Sequence, residues 1–326
     1  MSRLNHLKSI PNYAVTFIGQ GIVKNGLLES NKKYLPIFQK YLDEIDDALN
    51  EEFSKHLFYK DTQPRKIKDW FNKTSNAQPA ILASSYIITK IFEEVYDVDL
   101  IKNAKYLLGH SLGEYTALTL SGILDLKTSI QLVRKRGELM EDMFRYGSEA
   151  FGMIALIIRP EYVEDVIDLA TKDHILANIN APTQIVVSGE MIKTEEFIIN
   201  LRKLNKRILM KEVKLPVSVP FHNEILKYMV PKLKKFLETK SIGEQKIPII
   251  SNLDGEISTD SKQTIKKLLE ANYQPVQWMK SIQNLPVDEI YNIGPSHTLY
   301  TLNKRYDNIK NNVLIENIEN FVNSES

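Results

Sequence analysis

The stretch that decides the fold is Ala104–Lys105–Tyr106–Leu107–Leu108–Gly109–His110–Ser111–Leu112–Gly113. Residues 104–108 predict a buried strand, and residues 114–121 predict a helix. Between them, a glycine stands two positions on either side of Ser111, which permits a tight turn that exposes the serine hydroxyl. Strand, turn and helix in this order predict an α/β protein with Ser111 as its nucleophile.

The alternation of strands and helices continues on both sides of this stretch. Further strands are predicted at 13–18, 151–158, 247–251 and 288–293, and helices at 35–57, 78–96 and 124–144. Residues 151–213 follow the order β-α-β-β-α-β, which is typical of a ferredoxin-like unit. We therefore predict a large α/β-hydrolase-like domain with a parallel sheet, built from residues 1–147 and 215–326. A ferredoxin-like small subdomain is inserted at residues 148–214.

The composition excludes several classes of function. The 326 residues include 42 Lys plus Arg and 41 Asp plus Glu, which gives a net charge of +1. This balance predicts no nucleic-acid partner and no anionic membrane surface. The chain has no cysteine, so disulfide scaffolds, thiolate metal sites and cysteine nucleophiles are excluded. With no metal-binding or nucleotide-binding motif present, we expect neither a metal nor a cofactor.

The first 28 residues are basic. They contain no Asp or Glu, whereas Arg3, Lys8 and Lys24 are present, with two serines nearby. This composition is typical of a mitochondrial presequence, so we expect location in the mitochondrial matrix. The alternative is an ordinary basic start of a cytoplasmic chain.

A serine becomes a nucleophile only with a base beside it. Four of the six histidines are set aside by their surroundings: His6, His56, His110 and His174. His222 and His297 remain. Ser111, Asp254 and His297 follow the chain order serine, acid, histidine of α/β hydrolases and would form a serine esterase or thioesterase. Ser111 with His222 would instead need a carbonyl to orient the imidazole, and the pattern leaves both alternatives open.

Seven blocks of sequence, spread over almost the whole chain, carry a family resemblance. They are Gly19–Gln20–Gly21, Gly109 to Tyr115, Arg136–Gly137, Asn180–Ala181–Pro182, Val217 to His222, Pro275–Val276–Gln277–Trp278 and Ile293–Gly294–Pro295. In order and spacing they resemble the malonyl-CoA:acyl-carrier-protein transacylases, acyltransferases of fatty-acid and polyketide synthesis. The resemblance is to the stand-alone enzymes, among them the mitochondrial fungal type.

The resemblance implies a catalytic role for five residues. Ser111 would be the acylated nucleophile and His222 its base. A main-chain carbonyl holds the imidazole in this family, and the resemblance assigns that task to Gln277. The backbone N–H groups of Gln20 and Leu112 would form the oxyanion hole.

The resemblance also implies how the substrate is bound. Arg136 would pair with the free carboxylate that malonyl has and acetyl lacks. Phe221 would bound the pocket beside the malonyl methylene, which favours malonyl over methylmalonyl. His110 and Asn180 would complete the pocket, with Gln184 near its entrance.

The implied reaction is a ping-pong transfer between two partners. Malonyl-CoA would acylate Ser111, and the phosphopantetheine thiol of an acyl carrier protein would take the malonyl group. Carrier proteins are acidic, and Lys232, Lys234 and Lys235 offer a basic patch for docking. The stand-alone members lead us to expect a monomer, with no membrane and no nucleic acid among its partners.

Overall fold

The computed structural model of the protein describes residues 4, 7, 12–21, 26–58, 70–145 and 149–323. The basic residues that suggest a presequence, Arg3, Lys8 and Lys24, lie outside the described residues. Within the described part of the chain, no helix is both long enough and apolar enough to cross a membrane.

The described chain contains both strands and helices, interspersed along its whole length. The strands are β1 (Tyr13–Phe17), β2 (Tyr106–Gly109), β3 (Phe151–Ile158), β4 (Leu176–Ala181), β5 (Gln184–Glu190), β6 (Leu209–Lys214), β7 (Ile249–Ile250), β8 (Ile257–Ser258), β9 (Glu289–Ile293) and β10 (Asn311–Ile315). The α-helices are α1 (Leu35–Leu49), α2 (Thr74–Tyr96), α3 (Leu112–Leu120), α4 (Leu126–Phe144), α5 (Val163–Lys172), α6 (Met191–Leu204), α7 (Val230–Leu237), α8 (Ser261–Glu270), α9 (Trp278–Gln283), α10 (Thr298–Asn303) and α11 (Ile318–Asn323). Short 3₁₀ helices cover Glu29–Tyr34, Ser54–Leu57, Pro160–Tyr162 and Glu224–Met229.

The larger sheet has six strands in the order β10-β9-β1-β2-β7-β8. The strands from β10 to β7 run parallel, and β7 with β8 forms an antiparallel edge. β1 lies in the middle, because Tyr13 pairs with Glu289 of β9 and Ala14 pairs with Tyr106 of β2. This sheet therefore joins segments from the two ends of the chain, with the nucleophile turn directly after β2.

The smaller sheet has four antiparallel strands in the order β4-β5-β3-β6. Helices α5 and α6 pack on it and cover a separate apolar core that includes Leu156, Val166 and Phe197. The order is that of a ferredoxin-like unit. The predicted fold class, an α/β protein with a parallel sheet and a ferredoxin-like subdomain, is confirmed.

Two helix boundaries differ from the sequence-based expectation. Helix α1 ends at Leu49 rather than continuing to residue 57, because Asn50 adopts a left-handed conformation with φ of 52°. Helix α2 begins at Thr74, a turn before the predicted start at residue 78. Its first turn packs closely on α4, since a Cβ on Gly137 would lie 2.4 Å from the Cα of Ser75.

Main-chain hydrogen bonds at Val276 join the segment between α8 and α9 to the smaller sheet. The Val276 N–H donates to the carbonyl of Ala177 at 2.9 Å, and its carbonyl accepts from the N–H of Ile179 at 2.9 Å. The segment after α8 is thereby attached to the edge strand β4.

Candidate active site

Ser111 stands in a strained turn between β2 and α3. Its φ of 52° and ψ of −109° lie outside the regions that L-residues prefer, at a cost of about 1–3 kcal/mol. A Cβ on Gly109 would lie 1.8 Å from the carbonyl carbon of Gly113, and one on Gly113 would lie 2.1 Å from the carbonyl oxygen of Phe17. Glycine is therefore required at both positions, which explains the spacing of the motif.

Asn252 holds this turn from the end of β7. The Ser111 N–H donates to Asn252 Oδ1 at 2.7 Å, and Asn252 Nδ2 donates to the carbonyl of Gly109. The Asn252 N–H donates to Glu114 Oε1 at 3.2 Å. Burial raises the pKa of Glu114 to about 8, so this carboxyl is neutral at pH 7. Sequence reasoning missed the role of Asn252, whose only signal was its position after a predicted strand.

His222 is the base that the structure brings to Ser111. Its Nε2 lies 2.8 Å from Ser111 Oγ, and its Nδ1 lies 2.8 Å from the carbonyl oxygen of Ala271. Because a carbonyl only accepts hydrogen bonds, Nδ1 carries the proton, and Nε2 is free to accept the serine hydroxyl. His222 has a φ of 59°, so both members of the pair have a positive φ, which is uncommon for residues other than glycine.

The environment keeps His222 uncharged. Burial, and secondly the positive charge of Arg136, lower the pKa of His222 to about 3, against the opposing effect of the Ala271 carbonyl. The imidazole is therefore neutral at physiological pH, as a general base must be.

The assignment of Gln277 as the orienting residue is wrong. The carbonyl of Gln277 accepts instead from the N–H and the hydroxyl of Ser281, at 3.0 and 2.9 Å, within the first turn of α9. The orienting carbonyl belongs to Ala271, the residue that follows α8. The last carbonyls of a helix have no partner inside the helix, and this one is available to the imidazole.

The alternative triad is not assembled. Asp254 Oδ2 forms an ion pair with Lys267 Nζ at 2.7 Å, and its other oxygen accepts from the N–H of Glu256. His297 lies at the start of α10 in the cavity wall, whereas the Ser111 hydroxyl bonds to His222.

Gln20 and Leu112 lie beside the nucleophile. Leu112 is the first residue of α3, so its N–H is at the helix N-terminus, where negative charge is stabilised. Gly19 packs against the turn so closely that a Cβ there would be 2.4 Å from the carbonyl oxygen of His110. Gln20 lines the same cavity as Ser111, and its Oε1 accepts from Thr74 Oγ1 at 2.6 Å. That their N–H groups bind an oxyanion stays a prediction.

Arg136 points inward from α4 and is only 2% exposed. Its Nε donates to Asn272 Oδ1 at 2.7 Å, and its Nη1 donates to Gln78 Oε1 at 2.7 Å. The guanidinium lies over the ring of Tyr115, 5.1 Å from the ring centre. All these partners are neutral, and in the described part of the chain no ion pair joins Arg136 to a carboxylate. Burial lowers the pKa of Arg136, yet a guanidinium stays charged.

A cavity of about 560 Å³ gives access to these groups. Ser111, His222 and Arg136 all line it. Its other lining residues that the sequence singled out are Gln20, His110, Asn180, Gln184, Phe221 and His297. The wall is mainly apolar, with its side chains coming from both domains.

The predicted pocket residues lie in this cavity. His110 Nε2 lies 2.8 Å from Asn180 Oδ1 and donates to it, which links the nucleophile turn to the small subdomain. The Asn180 carbonyl accepts from the hydroxyl of Tyr306. Phe221 is buried next to the base. The basic run Lys232, Lys234 and Lys235 is exposed on α7 and does not line the cavity.

Within the described ranges, no group of three or more His, Cys, Asp or Glu side chains could hold a metal ion.

Comparisons with known proteins match most of the chain. The acyl transferase domain family matches residues 31–308. The malonyl CoA-acyl carrier protein transacylase of Bacillus subtilis is 33% identical over 298 residues, which cover 90% of this chain and 89% of that protein. FabD from Acinetobacter baumannii has a TM-score of 0.82 and 27% identity, with 96% of both chains covered. A malonyl-transacylase solved with its type II PKS acyl-carrier protein has a TM-score of 0.83 and 27% identity, with 95% of this chain and 98% of that chain covered.

Proposed function

The chain belongs to the acyl transferase domain family, and we propose that it transfers a malonyl group from malonyl-CoA to the phosphopantetheine thiol of an acyl carrier protein. The transfer passes through a malonyl ester on Ser111. It would supply activated two-carbon units to fatty-acid or polyketide synthesis.

The uncompensated charge of Arg136 is the observation that carries the proposal. A buried cation without an anionic partner costs several kcal/mol. The carboxylate of a malonyl group in the cavity would pair with it through two charge-assisted hydrogen bonds, and the cost would be offset. An acetyl group has no carboxylate, so the cation would stay unpaired and acetyl would be disfavoured.

In the first half-reaction, Ser111 Oγ attacks the thioester carbonyl and its proton moves to His222 Nε2. The negative charge that develops on the carbonyl oxygen is stabilised by the N–H groups of Gln20 and Leu112. Each such donor contributes about 3–4 kcal/mol in comparable sites. The C–S bond then breaks, the proton on Nε2 passes to the departing sulfur, and free CoA thiol leaves.

In the second half-reaction, the carrier thiol gives its proton to His222 and attacks the malonyl ester. The ester C–O bond breaks, and Ser111 Oγ takes the proton back. The malonyl group leaves as a thioester of the carrier. The mainly apolar wall of the cavity lets the thiol compete with water for the ester.

Intact mass spectrometry of the purified protein tests the function. Mixing with malonyl-CoA should add one malonyl group, which then disappears when a phosphopantetheinylated carrier protein is added. Ser111→Ala should show no adduct, and acetyl-CoA should give little adduct on the wild-type protein. A malonyl adduct lost equally fast to buffer alone would point to a hydrolase and contradict the transfer.

We also propose a mitochondrial location and a monomeric state. The location rests on the acid-free composition of residues 1–28. Incubation of the radiolabelled chain with isolated mitochondria should give a protease-protected product, and a chain that stays protease-sensitive would favour the cytoplasm. Light scattering after gel filtration should give a mass near 37.5 kDa.

A further inference from the structure

Asn272 contacts Arg136, the arginine proposed to bind the malonyl carboxylate, which we call the clamp arginine. Asn272 lies in the segment that orients His222, and it has no role in the reaction steps proposed above. It directly follows Ala271, whose carbonyl accepts from His222. Its Oδ1 accepts from Arg136 Nε at 2.7 Å and from the Tyr115 hydroxyl at 3.2 Å. Asn272 is 1% exposed, so the side chain is shielded from solvent.

The last turn of α8 fixes the orientation of the Asn272 amide. Nδ2 donates to the carbonyls of Leu268 and Leu269, at 3.0 and 3.1 Å. Because carbonyls only accept, the nitrogen must face the helix, and the oxygen must face Arg136. Two consecutive residues thus orient the two groups: Ala271 orients His222 through its main-chain carbonyl, and Asn272 orients Arg136 through its side chain.

Gln78 holds the guanidinium in the same way from α2. Its Oε1 accepts from Arg136 Nη1 at 2.7 Å, while its Nε2 donates to Thr74 Oγ1 at 2.8 Å. Both oxygens that position the arginine are therefore uncharged amide oxygens. They fix the plane of the guanidinium without compensating its charge, and Arg136 lines the cavity that a ligand would enter.

We infer that Asn272 is a positioning residue that determines specificity for an acyl group bearing a carboxylate. Its neutral oxygen fixes Arg136 through Nε and leaves the positive charge for the substrate. A carboxylate at this position would pair with the arginine internally, and a malonyl group would then bring an uncompensated negative charge into a buried site. The inference rests on the proposed malonyl transfer.

Two variants with the same number of side-chain heavy atoms as asparagine separate charge from hydrogen bonding. Asn272→Asp keeps the acceptor oxygen and adds a charge, whereas Asn272→Leu removes the acceptor. The matched control is Asn284→Asp, which adds the same charge at the exposed end of α9. The readout is the rate of Ser111 acylation at several concentrations of malonyl-CoA and of acetyl-CoA, by quenched-flow mass spectrometry. Thermal unfolding of each variant is recorded in parallel.

Asn272→Asp should lower kcat/KM for malonyl-CoA about 100-fold and change that for acetyl-CoA only a few-fold, because acetyl does not use the cation. Asn272→Leu should raise the half-saturating malonyl-CoA concentration about 10-fold, with a smaller effect on the maximal rate. Asn284→Asp should match the wild-type protein.

A folded Asn272→Asp variant with the wild-type ratio of malonyl to acetyl acylation would overturn the inference, and the proposed function would stand. If that variant does not fold, Asn272→Leu decides. Equal losses for both substrates would overturn the inference, because they would show that the amide serves only packing. Wild-type protein that takes up no malonyl group would contradict the proposed function itself.

Discussion

The base and the clamp arginine lie in one cavity but are held by different kinds of atoms. His222 is oriented by the main-chain carbonyl of Ala271, which every residue at that position would supply. Arg136 is oriented by the side-chain oxygens of Asn272 and Gln78, which a substitution removes or charges. The orientation of the base is therefore independent of the side chain at position 271, whereas the orientation of Arg136 depends on the side chains of Asn272 and Gln78.

The largest effect should come from removing the base. His222→Ala should lower Ser111 acylation by malonyl-CoA and by acetyl-CoA alike, about 10³–10⁴-fold, because proton transfer serves both substrates. His297→Ala should change both rates less than about 3-fold, since no hydrogen bond joins that imidazole to Ser111 in the described structure. The acylation rate of each variant shows which histidine is the base. Loss of activity only in His297→Ala would favour the triad of Ser111, Asp254 and His297 instead.

Removing the clamp arginine, Arg136, should affect acylation by malonyl-CoA and by acetyl-CoA differently. Arg136→Leu should reduce kcat/KM for malonyl-CoA about 10²–10³-fold, because the substrate carboxylate would lose its buried partner. Acetylation should fall far less or rise, since the unpaired cation is gone. Competition between the two thioesters, followed by mass spectrometry, gives the ratio directly. An unchanged ratio would show that Arg136 does not contact the acyl group.

A third effect concerns pH. The carboxyl of Glu114 is neutral below its pKa of about 8 and becomes an anion above it, close enough to interact with Arg136. Malonylation should therefore fall about 3- to 10-fold between pH 7 and 9.5, as the anion compensates the cation. Glu114→Gln, which stays neutral, should remove this fall. A decline of the same size in both proteins would trace it to another group.

The same ionisation predicts the direction of a stability change. The pKa of Glu114 is higher in the folded protein than its ordinary value of 4.5, so the unfolded chain loses the proton first. The stability associated with this group is complete below about pH 4.5 and is lost as the pH rises towards 8. Urea unfolding at several pH values, with Glu114→Gln as reference, measures the change.

The smallest effect should come from Gln277→Ala. Its carbonyl is engaged in the first turn of α9, and alanine would supply the same carbonyl. Acylation by either thioester should change less than about 3-fold. A drop comparable to that of His222→Ala would mean that the imidazole turns to Gln277 in the working enzyme.

The site residues that lie within a recognisable sequence motif could be predicted from the sequence. Ser111 stands between two glycines that its turn requires, and His222 and Arg136 lie in blocks that resemble a family. Ala271 could not be predicted, because it acts through a carbonyl that all residues share. Asn272 carries no motif either, and its partner Gln78 was considered only as a helix start.

The strands, like the site residues, could be predicted only where the local sequence carries a clear pattern. Buried apolar runs predicted β1 to β3 and the ferredoxin-like unit, since hydrophobic pattern and local structure agree there. Strand β10 was missed because it begins with Asn311 and Asn312, a residue type depleted in strands. Its pairing with β9 outweighs that local preference.

The central position of β1 has a consequence for synthesis on the ribosome. Residues 151–214 form the smaller sheet from one continuous stretch, which can close as soon as it leaves the ribosome. Strand β9, which pairs with β1, begins only at Glu289, and β10 pairs with β9 in turn. A nascent chain thus cannot complete its larger sheet until almost all of it has been translated, and one edge of β1 stays unpaired during that interval.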